Sequence, residues 1–369
     1  MTCQQKVSKV FLVRVNEMHH PDSFGPRSRK ISRLFFASSI TFSLLVILSF
    51  VVYASMLHPG NSPRTAHTNT TPEIHQSPTK SSITQNNKNT QPDITCLTRP
   101  HTPGDSNISI TSGGLKRTFI VHLASSYGIQ PQPLVINYHG YSFTAAKMES
   151  YSQMTREADK AGFILVFPQG LDQPPSWNAG IGAYGPTGDA NDIQFTRDML
   201  SYLKTEYCVD AHRIYVTGFS LGGGMAYRVA CTLSDQVAAL ATVAGAFYQA
   251  PAGCHPSRPL PVLEIHGQAD KFAPYNGNPT AMMAAVSTYL NEWFQHDHCN
   301  LASQVIFHQG DVTGLAWKHC AKSVMVEHYM VSDGGHTWPG GAASSTLGYT
   351  TNVIDANAVI WNFFRQFST

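Results

Sequence analysis

The chain has 369 residues, of which 42% are hydrophobic and 13% charged, and its formal net charge is +2. That balance gives nucleic-acid binding no electrostatic support. No P-loop occurs, and no G-x-G-x-x-G follows a predicted strand, so the usual marks of nucleotide chemistry are missing.

Residues 1–33 are polar and basic, with seven Lys and Arg against Glu17 and Asp22, so the remainder of the chain is net acidic. Residues 34–57 contain no charged residue in 24, which is long enough to span a bilayer as a helix. The basic flank sets an N-inside orientation. This segment reads as a transmembrane signal-anchor, or as the core of a signal peptide cut after Ala54. Either way the rest of the chain is expected outside the cytosol. Residues 58–93 hold only Ala66, Ile74 and Ile83 as apolar residues and read as a disordered polar linker. Residues 94–369 are expected to form one catalytic domain.

Seven cysteines are present, and Cys3 precedes the apolar run. The other six, Cys96, Cys208, Cys231, Cys254, Cys299 and Cys320, fall in the exported part, an even number that fits three disulfides. Six cysteines allow 15 pairings; Cys96–Cys208, Cys231–Cys254 and Cys299–Cys320 is the expected set.

From residue 94 onward, strands and helices alternate. NISITS and RTFIVHL are two opening strands. PLVINYH (133–139), GFILVFP (162–168), RIYVTG (213–218), VAALATVAG (237–245), LPVLEIHG (260–267) and VMVEHYMV (324–331) are short apolar runs of the kind that fill buried parallel strands. Helices are expected over 144–160 and 190–206, after residue 225, near 280–296 and near 353–366, with a Gly/Pro-rich loop at 169–188. The series predicts an α/β class with a mostly parallel sheet and helices on both faces. Sites in such sheets lie at the carboxyl ends of the strands.

At one of those ends stands Gly218-Phe219-Ser220-Leu221-Gly222, which fits the nucleophile-elbow pattern G-x-S-x-G with a strand before it and a helix after. Glycines at −2 and +2 let the chain turn tightly enough to expose one hydroxyl. A serine needs a base, usually a histidine oriented by a carboxylate. In this fold class the order is Ser, acid, His. Asp270 follows LPVLEIHG, and His336 lies in the glycine loop after VMVEHYMV. Asp333 is the alternative acid, and His266 is expected to brace the Asp270 loop. The oxyanion hole is assigned to the backbone N–H groups of Leu221 and Tyr141, with Gly140 as the neighbouring alternative. His139 reads as a buried hydrogen-bonding residue. His296 and His298 beside Cys299 lack a second ligand group at matching spacing, so no metal and no cofactor is expected.

The stretches LVINYHGY, GFILVFPQG, SWNAG, EYCVDAHRIYVTGFSLGGGMAYRVAC, PVLEIHGQADKFAPYNG and GGHTWPGG resemble the polyhydroxybutyrate depolymerase and feruloyl esterase family of secreted α/β-hydrolases. The resemblance runs from about Cys96 to the C-terminus. It implies the α/β-hydrolase fold and places the triad on Ser220, Asp270 and His336. It implies pocket-wall roles for Trp177 and Trp338, and for Asp192 a supporting role near the elbow. Tyr141 departs from the smaller residues common after HG in the family, and no separate polymer-binding domain is evident. The expectation is an exported serine carboxylic-ester hydrolase. Its substrates would be feruloyl or acetyl esters of plant polysaccharide, or short poly(3-hydroxyalkanoate) esters. A serine peptidase of related fold and a catalytically inactive tethered binding module are the competing readings.

Overall fold

Short apolar strands dominate the centre of the molecule, and their burial explains their order. The computed structural model describes residues 94–182, 190–249 and 253–369. The basic segment 1–33, the apolar segment 34–57 and the linker 58–93 lie outside the described residues. Among the described residues no helix is long and apolar enough to cross a membrane.

After a one-turn helix α1 (Ile94–Leu97) come β1 (Gly104–Ser112), β2 (Leu115–Leu123), β3 (Gln132–Tyr138), α2 (Ala145–Ser152), α3 (Thr155–Ala161), β4 (Ile164–Pro168), α4 (Asp192–Glu206) and β5 (Val209–Phe219). The second half runs α5 (Leu221–Thr232), β6 (Ala239–Val243), β7 (Val262–Gly267), α6 (Val286–His296), β8 (Gln304–Gln309), β9 (Val312–Trp317), β10 (Val326–Val331) and α7 (Ala356–Phe364). All ten strands form one sheet in the order β1-β2-β4-β3-β5-β6-β7-β10-β9-β8. The central six, from β4 to β10, pair in parallel. An antiparallel pair closes each edge.

The pleat sends alternate residues to opposite faces, and each face has its own core. Leu134 and Ile136 of β3 and Ile214 and Val216 of β5 pack with Phe195 and Leu200 of α4, Met225 of α5 and Tyr289 and Trp293 of α6. Val135 and Tyr215 point the other way, against Met148 of α2, Ala158 of α3 and Ile360, Phe363 and Phe364 of α7. The expected α/β-hydrolase arrangement, a mostly parallel sheet covered on both faces, is the one observed.

Two elements differ from the sequence expectation. The helix expected over 144–160 is broken: Gln153 adopts a left-handed conformation at φ 54° and caps α2, and α3 restarts two residues later. The hairpin β8–β9 is an addition to the expected series, turning through Gly310 and Asp311 with Gln309 opposite Val312. Its outer strand is largely exposed, so it lacks the buried apolar run that marked the central strands. The three disulfides join Cys96 to Cys208, Cys231 to Cys254, and Cys299 to Cys320. The last closes the segment that carries this hairpin, and the first ties the entry of the domain to the start of β5.

Candidate active site

Three loops converge at the carboxyl ends of β5, β7 and β10. Ser220 follows β5, Asp270 follows β7, and His336 follows β10.

Ser220 has φ 56° and ψ −123°, a region that L-residues rarely occupy. It is held there because α5 begins at the very next residue and must cross back over the sheet. A Cβ on Gly218 would overlap the Gly222 carbonyl, and one on Gly222 would overlap the carbonyls of Tyr138 and His139. Glycine at both places is therefore a steric requirement of the turn. The Ser220 carbonyl accepts from Gly224 N–H at 3.2 Å and Ala246 N–H at 2.9 Å, which fixes the strained residue from two sides. Leu221 is the first residue of α5, so its N–H has no carbonyl four residues back within the helix.

Asp270 and His336 are paired. His336 Nδ1 lies 2.7 Å from Asp270 Oδ2. The other carboxylate oxygen accepts from the backbone N–H groups of Phe272 at 2.8 Å and Ala273 at 2.9 Å. Burial alone would raise the Asp270 carboxyl, but the hydrogen bonds of His266 and His336 overcome it and hold the group below the usual carboxylate range. Asp333, the alternative acid, is exposed and does not pair with His336. The two loops are stitched together, with Gln268 N–H on Val331 O at 2.9 Å and Ala269 N–H on Gly334 O at 3.0 Å. His336 N–H donates to Leu347 O at 2.7 Å, and the imidazole ring packs on Phe219, centroids 4.7 Å apart. The Ser220 hydroxyl makes no hydrogen bond among the described residues.

The loop after β3 lies beside the serine: a Cβ on Gly140 would sit 3.2 Å from Ser220 Cβ. The Gly140–Tyr141 backbone therefore runs alongside the Ser220 turn. His139 anchors the loop from behind. Its Nε2 accepts the Gly170 N–H at 2.9 Å, so Nδ1 carries the proton and donates to Gly140 O at 2.8 Å. Burial lowers this imidazole to about 4, which keeps it neutral.

The two tryptophans are placed differently from the pocket walls that the resemblance implied. Trp177 is 0% exposed and Trp338 1%. Trp177 Nε1–H donates to His139 O at 2.8 Å, clamping the loop after β3. Trp338 Nε1–H donates to Asn357 Oδ1 at 3.0 Å, anchoring the histidine loop to α7. Neither faces open space; both support the loops that do. The exposed apolar side chains at the site are Phe272, whose ring is 5.3 Å from that of His336, and Tyr141. Phe272 escaped the sequence reading because one apolar residue in a polar loop has no periodicity to betray it.

Asp192 supports the region through a buried pair, its Oδ1 2.7 Å from Arg117 Nη2. Its second oxygen accepts the Asn178 N–H at 2.7 Å, next to Trp177. Burial raises this carboxyl, and the Arg117 charge opposes the rise.

Among the described residues one group, Asp105, His122 and Glu149, brings possible metal-ligand atoms within 4.8 Å of one another. It lies away from the serine, because His122 pairs with Leu165 near the start of β4. Both His122 nitrogens already face carboxylates, Asp105 at 2.6 Å and Asp159 at 3.2 Å. His296 likewise spends its nitrogens on Asp297 at 2.7 Å and Pro256 O at 3.1 Å.

A strained serine on a strand-to-helix turn, with an Asp–His pair on the following loops, defines the α/β-hydrolase class. Within it the chain belongs to the phospholipase/carboxylesterase family, which matches residues 125–309. It is 31% identical over 268 residues to feruloyl esterase B of Piromyces equi, an alignment covering 68% of this chain and 45% of that protein. It is 24% identical over 225 residues to the bifunctional acetylxylan esterase/xylanase XynS20E of Neocallimastix patriciarum, covering 59% and 31%. The chain thus spans less than half the length of either relative. An acetyl xylan esterase from Aspergillus awamori shares the fold, with a TM-score of 0.50 at 15% identity over 63% of this chain and 94% of that one.

Proposed function

We propose that this chain is an exported serine carboxylic-ester hydrolase acting on feruloyl or acetyl esters of plant polysaccharide, with short poly(3-hydroxyalkanoate) esters as the alternative substrates. The observation that carries this reading is Ser220, held at φ 56° at the end of β5, over a sheet whose next loops present the 2.7 Å Asp270–His336 pair. Ser220 Oγ attacks the ester carbonyl while His336 Nε2 takes its proton. Asp270 fixes the tautomer through Nδ1–H and stabilises the imidazolium. The N–H groups of Leu221 and Tyr141 stabilise the oxyanion. His336 then protonates the leaving alcohol, and water cleaves the acyl-enzyme. No step needs a metal or an organic cofactor.

The exposed Phe272 and Tyr141 supply apolar surface for an aromatic or alkyl acyl group, and the names of the relatives favour feruloyl and acetyl esters. Three disulfides support export. Membrane anchorage rests on the apolar run 34–57 alone.

The test compares wild type with Ser220→Ala on methyl ferulate, p-nitrophenyl acetate, acetylated xylan and a 3-hydroxybutyrate oligomer. Turnover by wild type alone supports the mechanism, and the preferred ester names the substrate. If wild type hydrolyses none of them and a fluorophosphonate leaves Ser220 unlabelled, the reading is wrong.

A further inference from the structure

The triad does not end at Asp270. Behind it, wholly inside the protein, stand a second imidazole and a second carboxylate: His266 is 1% exposed and Glu264 0%. Both belong to β7 and point to the same side of the sheet, since they are two residues apart. His266 Nε2 lies 2.8 Å from Ala273 O and 3.5 Å from Asp270 Oδ2, the oxygen that also takes His336 Nδ1. His266 Nδ1 lies 2.6 Å from Glu264 Oε1.

The protons follow from the partners. A carbonyl only accepts, so Ala273 O requires a hydrogen on Nε2. The short Nδ1–Oε1 contact holds one further proton between imidazole and carboxylate. With that proton on Nδ1, His266 is an imidazolium flanked by two carboxylates. Burial opposes its charge, yet the hydrogen bonds of Asp270 and Glu264 raise the group to about 10. Burial raises Glu264, while His266 and the Thr242 hydroxyl lower it.

The remaining ionisable neighbours stay neutral through the working range. His328 on β10, with Nδ1 on Glu264 O at 3.1 Å, is pushed down to about 3 by burial. Tyr275, whose hydroxyl faces His328 at 2.7 Å, is pushed up to about 12 by burial, and Tyr289 on α6 lies well above its ordinary value for the same reason. The single mobile charge behind Asp270 is thus the proton of the Glu264–His266 pair.

We propose that His266, charged through its pair with Glu264, is a positioning residue that aims Asp270 at His336. The inference rests on the serine-hydrolase reading above. A cation sharing the oxygen that His336 uses holds that carboxylate where the His336 ring meets it.

The test uses the full chain with wild type, His266→Gln, Glu264→Gln and the double variant, which removes both buried charges and so avoids stranding one. We measure kcat and KM for p-nitrophenyl acetate against pH, and the downfield imidazole proton resonances. In each variant kcat is expected to fall about tenfold with KM unchanged, because a misaimed Asp270 no longer fixes the orientation of His336. Glu264→Gln is expected to lose one downfield imidazole proton that wild type shows. A kcat within about twofold of wild type in folded variants labelled by fluorophosphonate overturns the positioning role and leaves the esterase reading standing. A wild type whose Ser220 resists fluorophosphonate overturns both.

Discussion

Replacing Asp192 with asparagine removes a charge while keeping nearly the same shape. Arg117, 2% exposed, would then keep a guanidinium inside the protein with no anion at 2.7 Å. Breaking a buried pair by deleting one partner typically costs about 3–5 kcal/mol. Asparagine retains one acceptor oxygen for Arg117 or Asn178, so the low end applies, about 3 kcal/mol. For a folded part of this size, with an unfolding entropy of about 2.1 cal/mol/K per residue, that is a Tm loss of about 5 °C. The assay is thermal unfolding by circular dichroism at neutral pH. Arg117→Met, alone and combined with Asp192→Asn, completes a double-mutant cycle. Removing both charges leaves none unpaired, so the double variant is expected to recover at least about 2 kcal/mol of the summed single costs. A melting point for Asp192→Asn within about 1 °C of wild type, or strictly additive costs in the cycle, would refute the view that this pair holds the loop at Asn178.

Trp177→Phe keeps the ring packing but strands the His139 carbonyl, a loss of about 1–3 kcal/mol; turnover should fall at least tenfold with folding retained, and wild-type kcat would rule out the clamp. Cys96→Ser with Cys208→Ser opens a loop spanning 112 residues, for which loop entropy gives about 4–5 kcal/mol in a urea titration; a cost under about 1 kcal/mol contradicts that. Burial raises Glu327 on β10 to about 7, with Lys318 opposing. A carboxyl raised in the folded state contributes stability that is complete below its unfolded value and is lost as pH rises through its folded value. Glu327→Gln should therefore stabilise the protein by about 1–2 kcal/mol at pH 8 and change nothing at pH 4, read by urea unfolding at both. Equal differences at the two pH values would show that Glu327 titrates normally.

Much of the central architecture is written locally. The runs at 133–139, 162–168 and 213–218 are apolar because both faces of those strands are covered, and a continuous apolar run is visible in any short window. The hairpin β8–β9 was not legible the same way, since β8 is exposed at the sheet edge and carries His308 and Gln309 among its apolar residues. Its Gly310-Asp311 turn was the available signal. The helix break at Gln153 is a backbone event at a non-glycine residue, which no pattern announces. The tryptophans were misread because an aromatic beside a catalytic motif looks the same in sequence whether its face or its N–H does the work.

The sequence by itself determined which residue types stand at the ends of β5, β7 and β10, because a glycine-flanked serine, an aspartate and a glycine-loop histidine each carry a local signature. Folding in three dimensions sets Asp270 rather than Asp333 against His336, brings Arg117 to Asp192 across 75 residues, and places His266 against both Glu264 and Asp270. The reason is physical: the turn chemistry of an elbow acts within a few residues. The energy of a buried charge depends on which distant side chain neutralises it, and a sheet of ten strands brings that partner from anywhere in the chain.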